Sequence, residues 1–108
     1  MPKLFSEKLN EAIISKKCAL VVGLDPRVQS LPEQLLAAAI ATHGNGLHAA
    51  AAAVLEFNKG LIDVISDIVP AIKPQLAFYE QLGVAGMQAF VDTTDYAREQ
   101  GLLVIADG

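Results

Sequence analysis

Three short apolar runs, each stopped by a charged residue and separated by enough chain for helices, constrain this sequence more than any other feature. The first is Cys18-Ala-Leu-Val-Val-Gly-Leu24, stopped at Asp25-Pro26; the second is Val69-Pro-Ala-Ile72, stopped at Lys73-Pro74; the third is Leu102-Leu-Val-Ile-Ala106, stopped at Asp107-Gly108. Short continuous runs without apolar/polar alternation suit strands covered on both faces, as in a parallel sheet. The proline or glycine after each charge closes the run.

The segments between them carry helical signals. Leu4, Leu9, Ile13 and Ile14 recur near helical spacing over 3–16, with Ser6 as the expected cap. Leu31-Pro32-Glu33 opens a helix to about Thr42, with proline in the first turn and an acid at the N-terminus. After Gly44-Asn45-Gly46 a longer helix runs from Leu47 to Ile68, its apolar face read as Val54, Phe57, Leu61, Ile65 and Ile68. The alanine tract at 49–53 suits a helix, since alanine is the best helix former. Gln75–Leu82 and Gly83–Gln100 are helical, Gly83 and Gly86 marking a bend or a new start, and Gly101 a stop. Helix, then strand-helix-strand-helix-strand, implies a parallel sheet with right-handed crossovers.

Composition narrows the function classes. With 53% hydrophobic and 19% charged residues the chain is too apolar for a disordered tail. A net charge of -4 supplies no basic field for nucleic acid or an anionic membrane, although a local basic pocket can still take a phosphorylated small molecule. The single cysteine, Cys18, rules out an intrachain disulfide and fits a reducing cytosol; it is read as a small buried side chain opening the first strand. The first seventeen residues scatter charge and hold no secretory apolar core. No Asp, Glu, Lys or Arg lies between Glu33 and Glu56, but the stretch is mostly alanine and broken by His43-Gly44-Asn45-Gly46. It reads as two soluble helices rather than a membrane span, which needs about 20 strongly apolar residues.

In a parallel sheet the three charged stops share one edge. With strands about 4.8 Å apart and neighbouring in sequence order, Asp25, Lys73 and Asp107 form a row with the cation in the middle. The two flanking carboxylates would keep that lysine protonated. Ligands of α/β sheets and barrels bind at this edge. His43 and His48 read as surface loop residues. Asp63, which follows Lys59 by four, and Asp67 read as a solvated helix face. Phe57, Phe78, Tyr79 and Phe90 read as packing. Arg27 lies just past the first strand end but is not assigned to phosphate, because the usual barrel phosphate site lies at the last strands. No cluster has metal-ligand spacing.

Four blocks then carry a resemblance: Val22-Gly-Leu-Asp25-Pro-Arg27, Phe57-Asn-Lys-Gly-Leu-Ile-Asp63, Ala71-Ile-Lys73-Pro-Gln-Leu-Ala-Phe-Tyr-Glu80 and Val104-Ile-Ala-Asp107-Gly108. In order and spacing they resemble the orotidine 5'-phosphate decarboxylase family, in its longer bacterial branch; the lysine block is the most specific. The resemblance implies that residues 1–108 are the N-terminal part of one (β/α)8 barrel domain, roughly its first three strands with their helices. The complete enzyme would be a cytoplasmic homodimer that converts orotidine monophosphate (OMP) to uridine monophosphate (UMP) in pyrimidine biosynthesis without a cofactor. By position, Asp25 matches a ribose-binding aspartate. Lys73 matches a lysine that contacts ribose and holds the charge network. Asp107 matches the first aspartate of an Asp-x-Lys-x-x-Asp motif, beside the substrate carboxylate. The proton-donating lysine of that motif would follow two residues later, and the sequence given stops at Gly108. Two other readings stay open. One is a different phosphosugar enzyme on the same barrel, such as a relative of 3-keto-gulonate phosphate decarboxylase or hexulose phosphate synthase. The other is a non-enzymatic half-barrel that assembles with a partner.

A barrel of this kind takes about 250 residues, and three strands cannot close. The isolated 108-residue polypeptide should therefore be poorly stable or self-associate through its strand edges. Size-exclusion chromatography with a dilution series checks this; a sharp monomeric unfolding transition at low concentration would contradict it.

Overall fold

Strand pairing begins where helix closures release the backbone. The computed structural model describes residues 4–25 and 27–106, so Asp107 lies outside the described residues. α1 (Phe5–Lys16) starts at Leu4 with no side-chain cap. The expected cap, Ser6, already lies inside the helix, because the backbone turns helical one residue before it. At the other end Lys17 takes the left-handed conformation (φ 55°). Its N–H bonds Ile14 O and that of Cys18 bonds Ile13 O, a paired closure of the Schellman type. Cys18 is thus committed to ending the helix. It does not open the strand, and it is half-buried against the sheet cluster.

β1 therefore spans only Val21–Leu24. A short 3₁₀ turn (Val28–Ser30) leads to α2 (Glu33–His43), then α3 (Leu47–Ile65). α3 stops three residues before its expected end, as Ile68 and Val69 N–H groups both turn back to Ile65 O. Pro70 disfavours helical backbone at Val69 and brings no N–H of its own. β2 accordingly falls at Ala71–Pro74, so Lys73 and Pro74 are inside the strand rather than after it. α4 (Leu76–Glu80), α5 (Gly83–Glu99) and β3 (Leu103–Val104) complete the chain. The Ile105 N–H still donates to Ile72 O, so pairing continues just past β3.

The sheet order is β1-β2-β3, all parallel, with Val22 beside Ile72 and Ile72 beside Val104. Those three side chains and Leu24 share one face. There they pack with Ile62, Val69, Ala97 and Leu102 under α3 and α5. A second cluster, of Leu31, Ala39, Val54, Tyr79 and Ala89, joins the helices to one another. Phe57, Phe78 and Phe90 pack against it, as expected.

Burial on both sheet faces is not what the structure shows. Opposite the helix layer Ala71 is buried, but Val21 remains 38% exposed and Gly23 and Lys73 are exposed. The buried line of α3 also differs from the expected one. It follows Ala50, Val54, Asn58 and Ile62 at intervals of four, while Ile68 lies outside the helix and is exposed. The alanines at 49–51 and 53 are buried and let α2 and α5 approach closely.

Two glycines set the α4–α5 corner. Gly83, at φ 68°, takes a turn that side chains resist. Gly86 has no room: a Cβ there would lie 2.0 Å from Tyr79 O and 2.6 Å from Leu82 Cβ. Gly86→Ala should destabilise the fold by about 1–3 kcal/mol, the usual range for overpacking. Urea denaturation of the variant beside the parent measures it.

Candidate functional site at the rim of the sheet

The C-terminal ends of β1 and β2 lie side by side, with Gly23 registered to Lys73 and Leu24 to Pro74. Registered residues of a parallel pair point to the same side, and alternation puts Asp25 on the side of Gly23. A Cβ built on Gly23 would sit 3.8 Å from Asp25 Oδ2, so the carboxylate leans back over this face. Lys73 and Asp25 are both solvent-exposed, on the face opposite the Leu24–Ile72 cluster. The absent side chain at Gly23 leaves room between them. The structure thus brings Asp25 and Lys73 to one rim and one face.

Asp25 is tethered across the strands: its Oδ1 accepts a hydrogen bond from Gln75 N–H at 2.9 Å. Gln75 is the first residue past β2 and the N-cap of α4. One turn later, Tyr79 reaches back under the rim and its hydroxyl donates to Leu24 O at 2.9 Å. That hydroxyl accepts from Asn58 Nδ2 at 3.0 Å, and the same Nδ2 donates to Thr93 Oγ1 at 3.1 Å. Asn58 and Thr93 are wholly buried and Tyr79 nearly so. Phe90 packs edge-on against the Tyr79 ring, centroids 5.2 Å apart. Asn58 Oδ1 is buried with no hydrogen-bond partner among the described residues. Burial pushes the Tyr79 hydroxyl up to about 12; the Asn58 hydrogen bond opposes this and the Asp25 charge adds to it. The hydroxyl therefore stays protonated, and a donor, at any working pH.

Sequence reasoning missed this network. Tyr79 read as generic packing, and Asn58 went unnoticed although it stands in step with Ala50, Val54 and Ile62. Other sequence-based candidates lie elsewhere. His43 and His48 are exposed, as expected of loop-flanking residues. Asp63 is exposed but accepts a hydrogen bond from the Tyr96 hydroxyl, and Lys59 Nζ sits 5.5 Å from the Tyr96 ring centroid. Arg27 lies 5.9 Å over the Phe78 ring and borders a cavity of about 380 Å³ that Val28, Gln81 and Leu82 help to line. Among the described residues no three His, Cys, Asp or Glu side chains group as a metal site would need, and no helix is long and apolar enough to cross a membrane.

Parallel β/α units with polar side chains at the strand ends make this a partial (β/α)8 barrel. A solved structure from Streptomyces avermitilis, described as an orotidine 5'-phosphate decarboxylase, superposes with TM-score 0.72 at 27% identity; the match covers 99% of this chain and 33% of that one. Among curated sequences, the orotidine 5'-phosphate decarboxylase of Rhodopirellula baltica is 39% identical over 104 residues, 96% of this chain and 33% of that protein. That of Parabacteroides distasonis is 38% identical over 103 residues, 94% and 32%. No family model matches the chain. The chain is homologous to orotidine 5'-phosphate decarboxylases and spans about a third of the length of the curated relatives it matches.

The Tyr79 shift has a sign. A hydroxyl titrating at 10.0 when unfolded and about 12 when folded keeps its proton better in the native state. Its contribution is whole below pH 10 and is lost as pH rises through about 12. Tyr96, raised chiefly by its hydrogen bond to Asp63, acts in the same direction. Tyr79→Phe should cost about 1–3 kcal/mol near neutrality, by stranding buried polar groups. It should also flatten the alkaline loss of stability, both read from urea melts across pH.

Proposed function

We propose that this chain is the N-terminal part of an orotidine 5'-phosphate decarboxylase, residues 1–108 forming the opening units of one barrel domain. The observation that carries the reading is similarity over 96% of the chain to a curated enzyme of that name, with Asp25 and Lys73 on the sheet edge where barrel ligands bind. In this reading Asp25 takes the ribose hydroxyls of OMP. Lys73 contacts the same ribose and balances the carboxylates beside it. Asp107 stands next to the substrate carboxylate.

The chemistry explains the charges. When the C6–carboxylate bond of orotate breaks, CO2 departs and the electron pair stays on C6, in an orbital that the ring π-system cannot delocalise. Fixed cationic charge must stabilise that pair, and an ammonium then delivers a proton to it. The motif supplies this ammonium two residues past Asp107. Contacts to ribose and phosphate, remote from C6, provide binding energy that can be used in the transition state. No cofactor serves as electron sink. The ligands are OMP and UMP, not nucleic acid or membrane; the complete protein acts as a cytoplasmic homodimer.

The test is turnover of OMP by the complete polypeptide that carries this segment. Lys73→Ala should lower kcat/KM by about a hundredfold or more. Asp25→Ala should lower it by about tenfold or more, mostly through KM. A folded complete protein that leaves OMP untouched would overturn the reading. The 108-residue chain alone should show no turnover.

A further inference from the structure

The buried network ends on the backbone immediately before Asp25, and this gives Tyr79 and Asn58 a role beyond filling the helix layer. We propose that Tyr79, oriented by Asn58, is a positioning residue that fixes Asp25 for the hydroxyls of a bound nucleotide's sugar. The inference rests on the reading of Asp25 given above.

Donor and acceptor directions carry the argument. Asn58 Nδ2 points its two hydrogens at the Tyr79 and Thr93 oxygens. Tyr79 is left with one proton to give and Leu24 O to receive it, at 2.9 Å. The Leu24 carbonyl belongs to the peptide plane that leads into Asp25, so holding that oxygen sets where the Asp25 Cα stands. The other end of Asp25 is held by Gln75 N–H. Gln75 and Tyr79 lie four residues apart, at the start and in the body of α4, so one short helix grips Asp25 from both sides. α4 is itself fixed, because Gly86 lets α5 press directly against Tyr79 O. With Oδ1 engaged by Gln75, Oδ2 lies over Gly23, on the open face beside Lys73. Protonation supports the geometry: a hydroxyl held near 12 donates to Leu24 O throughout the working range. A purely structural Tyr79 would stabilise the fold without any dependence on Asp25.

The test is a double-mutant cycle in the complete protein, read as the Kd for UMP by calorimetry, with thermal melts to establish folding. Tyr79→Phe keeps the ring and removes the hydroxyl; it should weaken UMP binding about tenfold, or 1.4 kcal/mol. Asp25→Ala should weaken it at least as much. The double variant should bind no more weakly than Asp25→Ala alone, because Tyr79 acts through that carboxylate. Asn58→Ser removes the donors that orient Tyr79 and should show a smaller loss of the same kind; it stands in if Tyr79→Phe does not fold. Parental UMP affinity in folded Tyr79→Phe, or a loss that adds in full to that of Asp25→Ala, would overturn the inference and leave the decarboxylase reading intact. Unchanged affinity in Asp25→Ala would overturn the assigned role of Asp25 and this inference with it.

Discussion

The hydrogen bond from the Tyr79 hydroxyl to Leu24 O is the constraint on which the rim depends. The apolar clusters on either side supply most of the cohesion, but hydrophobic burial is non-directional and tolerates sliding. A buried hydroxyl with one proton, one donor behind it and one carbonyl ahead does not. Through Asn58 and Thr93 the same chain of bonds reaches α3 and α5, so three helices and the end of β1 share one register. Such networks are costly when incomplete and specifying when satisfied. The unmatched Asn58 Oδ1 is the remaining cost.

The two faces of the sheet divide the labour. One carries Val22, Leu24, Ile72 and Val104 into the helix layer. The other carries small residues, Gly23 and Ala71, beside Asp25 and Lys73. Gly23, with no side chain, leaves space between the exposed Asp25 and Lys73, whereas Ala71 lies buried further down β2. A covered inner face would require further strands, in keeping with a chain that spans a third of its relatives' length. The open face and the polar rim are therefore consequences of the same topology.

Much of this was legible in the residues. The parallel order, the five helices and the shared edge of Asp25 and Lys73 follow from apolar runs and their stops. The misplacements have local causes. β1 begins late because Cys18 closes α1. β2 begins late because Pro70 brings no N–H to the ladder. The buried line of α3 was misread because a pattern of apolar residues passes over a polar one, and Asn58 occupies the centre of that line. Nothing local announces that an asparagine on one helix will meet a tyrosine 21 residues later and a threonine 35 residues later. That meeting is a product of tertiary packing. Asp107 lies outside the described residues, so its place in the row rests on sequence alone.

The first helix shows how unevenly this architecture is held. α1 buries none of its residues fully. Lys16 near its C-terminal end reaches across the fold: its Nζ donates to Ser66 O at 2.5 Å and Val69 O at 2.9 Å, beside the end of α3. This flexible cation ties the end of α1 to the chain reversal that follows α3. Amide protons of α1 would exchange through a small local opening that leaves Ile62 and Ile72 protected, whereas those beneath the rim would exchange only when the helices part from the sheet.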